Sequence, residues 1–240
     1  MGPIGGSVSG KTSGSSRLPH LEYELAAGFP RTIVIGVDEV GRGCLAGPVV
    51  AGAAVLPPDA LTEHKPAWVS QVRDSKLVAP RVRASLESGL QSWLGAWSLG
   101  EASVIEIDQI NILNAVELAM KRAVDGVLAR LGLEPYAENL FVLVDGNRIP
   151  RTLGPVFGGR IRAVVKGDQQ SLTIACASIL AKVARDRDME RLEATSPGYG
   201  LGVHKGYGTP GHLEAIAKLG VAEFHRKSFA PVRDLLHLRS

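Results

Sequence analysis

Thr32-Ile-Val-Ile-Gly-Val-Asp-Glu-Val-Gly-Arg-Gly43 decides how the rest of the chain is read. Thr32–Val37 is an apolar, β-branched run, the pattern of a buried strand. It leads into two adjacent carboxylates, Asp38 and Glu39, and then into an arginine flanked by glycines, Gly41-Arg42-Gly43. A buried carboxylate needs a partner or a metal ion, so two acids at the exit of a core strand mark a site. Successive side chains of a regular strand point to opposite faces. The strand is therefore expected to end, twist or bulge between Asp38 and Glu39, which Gly41 makes easy.

Two more apolar runs end in acid. Leu140–Val144 leads into Asp145-Gly146-Asn147, and Ile161–Val165 into Lys166-Gly167-Asp168. Either acid alone reads as an ordinary turn residue. Three acidic strand ends together favour a site, because strand ends form the ligand crevice of an α/β sheet. Four carboxylates in one place raise one another's pKa, and a hard divalent cation such as Mg²⁺ or Mn²⁺ relieves the repulsion. No His or Cys stands among these acids, which argues against zinc. A carboxylate cluster holding two such ions suits phosphodiester hydrolysis. Arg42, Lys76, Lys166, Lys182, Arg185, Lys205, Arg226 and Lys227 are the cations near these segments that a phosphate backbone would need.

Around the first strand, Pro48–Leu56 reads as a second, joined to it through a glycine-rich, hairpin-like loop. Helical spacing of Val82, Leu86, Leu90 and Trp93 follows Pro80, and Ala96–Leu99 reads as a short strand. The spacing from Asn111 to Leu131 predicts a long helix stopped by Gly132. A helix over Ser171–Glu193 carries small residues, Ala175, Ala177, Ser178 and Ala181, that let it lie close on a neighbour. Thr209 and Pro210 look like N-cap and N1 of a last helix, with Leu213, Ile216 and Leu219 inward. The order predicts an α/β layer, a mixed sheet flanked by helices.

Residues 1–30 are expected to form a flexible Gly/Ser-rich leader. They contain Gly5-Gly-Ser-Val-Ser-Gly-Lys-Thr12, a letter-for-letter phosphate-loop pattern. That motif works only between a strand and a helix, and its flanks supply neither, so it is rejected as a nucleotide site.

Composition sets outer bounds. Of 240 residues, 45% are apolar and 21% charged, the balance of an ordinary globular protein able to bury a core. A net charge of +3, 27 basic against 24 acidic residues, permits a nucleic-acid partner without announcing one. Cys44 and Cys176 sit in apolar surroundings without CxxC spacing and read as reduced, buried thiols. No stretch reads as a membrane span or signal peptide, so a soluble, cytoplasmic protein is expected. With no self-complementary stripe visible, a monomer is expected.

Short blocks stand in order along the chain: Gly36–Gly43 with Ala46–Val50, Asp74-Ser-Lys76, Glu106–Asp108 with Asn111–Leu113, and Val144–Asn147. Lys166–Asp168, Ala177–Lys182 with Arg185-Asp186, His204–Gly208 and His225–Val232 follow. In that order they resemble prokaryotic ribonuclease HII. The resemblance implies an RNase H-like fold, a mixed five-stranded sheet flanked by helices over residues 31–195 with a small helical C-terminal extension over 196–240, and cleavage of the RNA strand of RNA–DNA hybrids, including single ribonucleotides embedded in duplex DNA. It implies Asp38, Glu39, Asp145 and Asp168 as metal-binding catalytic acids for Mg²⁺ or Mn²⁺. It implies that Gly41-Arg42-Gly43 approaches the ribose 2′-OH and Tyr207 stacks on the next sugar, with Lys76 and Lys182 on phosphates. Only glycines let backbone come so close to a sugar, and the 2′-OH is what separates RNA from DNA. Cys44 stands where the family often has proline or a small residue. The sister ribonuclease HIII usually carries a folded N-terminal substrate-binding domain, which about 30 residues cannot supply. The alternative from another class is a hybrid-binding protein without catalysis; the presence of all four acids counts against it.

Overall fold

Ile33–Val40 (β1) is the middle strand of a five-stranded mixed sheet. Val49–Val55 (β2) and Ala96–Ala102 (β3) extend it antiparallel on one side, and Leu140–Asp145 (β4) and Ile161–Val164 (β5) extend it in parallel on the other. The order is β3-β2-β1-β4-β5. The structure, a computed structural model, describes residues 19–62, 65–72 and 78–237. Its helices are Glu22–Ala26 (α1), Pro80–Trp93 (α2), Val104–Leu131 (α3), Gly154–Phe157 (α4), Leu172–Thr195 (α5), Leu201–His204 (α6), Pro210–Leu219 (α7) and Ala230–His237 (α8). The Gly5–Thr12 pattern and the Asp74-Ser-Lys76 block, Lys76 included, lie outside the described residues.

Alternation along β1 assigns the two faces. Ile35 and Val37 pack in one apolar cluster with Ala115, Ala119, Ala123 and Val127 of α3. Val34 packs on the other side with Ile174 and Ala177 of α5. Helix α5 lies so close that a Cβ on Gly36 would fall 2.3 Å from the Thr173 carbonyl carbon, and one on Gly52 2.3 Å from the Ala177 oxygen. Two glycines on adjacent strands thus set the depth of the helix that runs past the strand ends.

Several boundaries differ from expectation. β1 does not end or bulge between Asp38 and Glu39; its ladder with β2 runs on through Asp38↔Gly52, Glu39↔Ala51 and Val40↔Val50. The long helix begins at Val104, where Ser103 and Glu106 form a capping box. Asn111 interrupts it with φ 66° and restarts it, its side chain accepting from the N–H groups of Leu113 and Asn114. Leu219, expected inward, is 48% exposed, while Ile216 is buried.

The leader expected to reach residue 30 is shorter. His20 bridges to Ser171, and α1 buries Glu24 against the start of α5. One Glu24 oxygen accepts from Ser171 Oγ (2.6 Å), Thr173 N (2.9 Å) and Thr173 Oγ1 (2.8 Å), so the carboxylate sits on the positive end of that helix. At the other end of the chain, α7 and α8 contribute Ile216 and Val232 to a third apolar cluster. It also holds Met189 of α5 and Leu45 and Ala46 from the loop after β1.

Candidate active site

Asp38 and Glu39 leave β1 on opposite faces, yet both line one cleft of about 880 Å³. The pairing of β1 with β4 explains this. Its last register is Val37↔Val144, so β1 runs beyond the ladder it shares with β4 just where the acids begin. Glu39 projects where the neighbouring chain has become Gly146, which has no side chain, and it can reach the strand-end crevice from the α3 side. Asp38 enters from the α5 side, only 6% exposed.

The Asp38 carboxylate accepts a hydrogen bond from the Glu39 N–H at 2.7 Å and one from the side chain of Ser178 on α5. Its pKa is nevertheless raised well above the carboxylate range. Burial is the main cause, reinforced by the charges of Glu39, Asp145 and Asp168, while the Ser178 bond opposes the shift. Proximity of the four acids is thereby expressed in energy, since each neighbour makes the Asp38 charge harder to hold.

Asp145 closes β4, and its carboxylate accepts from the Gly167 N–H at 2.6 Å. Gly167 belongs to the short 3-10 turn Gly167–Gln169 that follows β5 and carries Asp168. Lys166, with φ 53°, turns the chain back before that turn, and Ser171 then caps α5 by accepting from the Ile174 N–H. Asp168, expected at the end of a strand, therefore sits in the turn between β5 and α5, buried against the cleft. The donor set is hard oxygen throughout, with a surplus of negative charge, and it fits a divalent cation better than any soft metal. As the side chains stand, no three His, Cys, Asp or Glu among the described residues are gathered tightly enough to hold one ion.

Lys182 and Tyr207 line the same cleft. The Lys182 ammonium is 2.6 Å from Asp186 Oδ1, and the other oxygen of Asp186 takes Arg83 at 3.2 Å. Tyr207 is 43% exposed, its backbone bridged to Cys44. Behind it, His212 Nδ1 faces the Tyr207 carbonyl at 2.9 Å and His212 Nε2 faces His225 Nε2 at 3.2 Å. His225 Nδ1 accepts from the Ala222 N–H at 2.9 Å. That acceptor fixes the tautomers in turn: His225 donates to His212, which donates to the Tyr207 carbonyl. Both rings are fully buried, and burial lowers both of their pKa values.

Gly41-Arg42-Gly43 stands beside the cleft and not in its lining; Arg42 lines an adjoining hollow with Glu39 and Asp145. The two glycines have different reasons. Gly41 has φ 89°, and a Cβ there would fall 2.1 Å from Arg185 Nε. Gly43 is exposed, with nothing within 4 Å of a Cβ.

The family model for ribonuclease HII matches residues 35–232. A ribonuclease HII from Nitrosococcus oceani is 49% identical over 203 residues, covering 85% of this chain and 91% of that protein. The chain belongs to the ribonuclease HII family. Among solved structures, the ribonuclease H2 of Pyrococcus horikoshii OT3 shares the fold with a TM-score of 0.65 at 23% identity, over 86% of this chain and 98% of its own. A Bst-RNase HIII structure in complex with Mn²⁺ does so with a TM-score of 0.68 at 19% identity, over 89% and 72%. The expected RNase H-like sheet is the fold this chain has. It is an enzyme of the ribonuclease H type, a phosphodiester hydrolase.

Some expectations for this chain change with the structure in view. Arg185 and Arg226, counted among the phosphate-facing cations, are wholly buried and face backbone carbonyls. Lys205 pairs with Glu190 at 2.6 Å. Arg83, which the helical spacing of α2 does not single out, brings a cation to the cleft. Ser178 reads in sequence only as a small packing residue, and its bond to Asp38 has no linear signal.

Proposed function

We propose that this protein hydrolyses the RNA strand of RNA–DNA hybrids and incises duplex DNA on the 5′ side of single ribonucleotides, leaving 3′-OH and 5′-phosphate ends. The observation that carries the reading is the convergence of Asp38, Glu39, Asp145 and Asp168 on one cleft, close enough that the charges of the other three raise the Asp38 pKa. Asp38, Glu39, Asp145 and Asp168 would hold Mg²⁺ or Mn²⁺. Bound there, two such ions supply a water of lowered pKa and stabilise the leaving oxygen.

This chain's residues do the rest. Ser178 and the Glu39 N–H orient the Asp38 carboxylate, and the Gly167 N–H orients that of Asp145. Lys182, steadied by Asp186, offers a cation to a phosphate at the cleft wall, and Lys76 is assigned the same task by the family pattern. Exposed Gly43 lets a ribose approach the backbone, and half-exposed Tyr207 offers a ring to the following sugar. Among the described residues no helix is long and apolar enough to cross a membrane, and both cysteines are free thiols. A monomer acting in the cytoplasm in ribonucleotide excision repair is part of the same proposal.

The test is incubation with duplex DNA carrying one ribonucleotide, in Mg²⁺, in Mn²⁺ and in EDTA. Cleavage 5′ of the ribonucleotide that EDTA abolishes is expected. No cleavage in either metal would overturn the reading, and tight binding without turnover would mark a hybrid-binding protein instead.

A further inference from the structure

Arg185 on α5 and Arg226 before α8 expose none of their surface, and neither faces the cleft. A guanidinium has five N–H donors and no acceptor, and burying it is costly unless those donors are met. Here each of the three guanidinium nitrogens finds a backbone carbonyl, most of them in the loop after β1. Arg185 donates through Nε to Pro48 (3.1 Å), through Nη2 to Ala46 (3.0 Å) and through Nη1 to Lys205 (2.9 Å). Arg226 donates through Nε to Gly47 (3.0 Å), through Nη2 to Pro48 (3.1 Å) and through Nη1 to Arg42 (3.0 Å).

The last of these bonds has a geometric consequence. In a trans peptide the C=O and the following N–H point in opposite directions within one plane. Arg226 draws the Arg42 carbonyl inward, so the Gly43 N–H is turned outward. That is the side where Arg42 and Gly43 are exposed and where a Cβ on Gly43 would meet nothing. Gly41 completes the fit from beneath, since any side chain there would collide with Arg185. The loop is also stitched to the C-terminal segments by Leu45 N–H to the Gly206 carbonyl (2.8 Å) and Arg226 N–H to the Leu45 carbonyl (2.8 Å).

We propose that Arg226, assisted by Arg185, is the positioning residue of the sugar-reading loop: it holds the Arg42 carbonyl inward and so aims the Gly43 N–H at the ribose 2′-hydroxyl. This rests on the assignment of Gly41-Arg42-Gly43 to the ribose made above. It gives the C-terminal extension a part in selecting RNA over DNA, although none of its residues need touch the sugar for that purpose. Burial lowers the Arg226 pKa to about 10, with the Arg185 charge adding to the effect while Cys44, Asp108 and Tyr207 oppose it. The brace therefore stays charged at neutral pH.

The test compares binding of two duplexes, identical except for one ribo or deoxy sugar, in EDTA so that neither is cut. Arg226→Lys keeps the charge and loses the fork. It is expected to lower affinity for the ribonucleotide duplex about tenfold, the scale of a charge-assisted hydrogen bond, and to leave the all-DNA affinity unchanged. Should that variant not fold, Arg226→Gln, which buries no unpaired charge, takes its place with the same expectation. A fold defect alone would lower both affinities and the thermal midpoint together, and that result would overturn the inference. Gly43→Val, whose Cβ has nothing within 4 Å of it in the protein, acts on the loop directly. If Gly43→Val leaves the ribo-to-deoxy ratio intact, the assignment of the loop is wrong. If Gly43→Val abolishes the ratio and the Arg226 variants keep it, the assignment stands and the positioning role is refuted.

Discussion

The Glu39 N–H donates to the carboxylate of its own neighbour, Asp38, at 2.7 Å, while the Glu39 side chain leaves on the other face of the sheet. The bond turns the Asp38 carboxylate along the strand, toward the cleft at the end of β4. Alternation thus becomes useful. Neighbouring acids on one strand enter a common space from two sides because the next strand stops short. No bulge is needed.

Asp38→Asn separates charge from shape. An acid whose folded pKa is raised binds protons more tightly in the folded state. Its contribution to stability is therefore lost as pH climbs from the ordinary carboxylate range toward the raised value. In EDTA at neutral pH the Asn variant should be more stable than wild type, by about 1.4 kcal/mol for every tenfold by which folding tightens the hold of Asp38 on its proton. The difference should vanish as pH falls toward about 4. Urea unfolding across that range measures it. Nuclease activity should fall at least about a thousandfold, several kcal/mol of transition-state stabilisation. Undiminished cleavage by this variant would remove Asp38 from the chemistry.

Divalent ions should act on stability through the same charges. Mg²⁺ or Mn²⁺ is expected to raise the thermal midpoint of wild type, since a ligand bound only by the folded state stabilises it. In Asp38→Asn the rise should shrink. Calorimetric scans with and without the ion decide this, and equal rises in both proteins would place the ions elsewhere.

Gly41 and Gly43 look alike in the sequence and should behave differently when replaced by alanine. Gly41→Ala puts a Cβ into a left-handed backbone, at about 1–2 kcal/mol, and into Arg185 as well. A loss of at least about 2 kcal/mol in chemical unfolding is expected. Gly43→Ala meets open space and should unfold like wild type while binding the ribonucleotide duplex more weakly. Equal destabilisation by both would contradict the loop geometry.

The sheet and the acids are legible in sequence because each announces itself locally. An apolar run closed by acid needs no knowledge of its neighbours, and Asp38, Asp145 and Asp168 stand out that way. The Ser103…Glu106 capping box is also written in the sequence, and it moves the start of α3 to Val104. What lacks a signal is pairing across long separations. Arg226 reads as a surface cation because the Arg42, Gly47 and Pro48 carbonyls that neutralise its cost lie far away along the chain. Glu24 sits in a stretch of ordinary composition, and its partners Ser171 and Thr173 are equally remote.

Glu24 gives a direct check on where the folded unit begins. Glu24→Ala takes the shared acceptor from Ser171 Oγ, Thr173 Oγ1 and the Thr173 N–H, all buried; the two hydroxyls, 3.0 Å apart, can bond to each other, but one of their donors is left over. Unpaired buried donors cost about 1–3 kcal/mol each, so a midpoint loss of that order is expected in thermal melts. If Glu24→Ala melts like wild type, α1 is dispensable and the folded unit begins nearer β1.

The buried histidine pair should make this protein acid-labile in a defined window. Burial, and then the neighbouring His212, lower the His225 pKa to about 4, and burial lowers that of His212 too. Unfolded, either ring titrates near 6.5. Below that pH the unfolded chain takes up protons that the folded pair refuses, so stability present above about 6.5 is lost as pH falls toward 4. From His225 alone the loss is about 3 kcal/mol by pH 4. The groups around the pair are the His204 ring, the Tyr207 carbonyl, the Ala222 N–H and the Tyr199 and Phe224 rings, and no carboxylate is among these neighbours to stabilise an added proton. Protonating His225 Nδ1 would also displace the Ala222 N–H, and protonating His212 Nε2 would set two donors face to face. Urea midpoints between pH 7.5 and 4.5 should therefore fall for wild type and fall less for His225→Gln, after allowing for its lower starting stability. Parallel slopes in the two proteins would show that the pair does not control the acid limb.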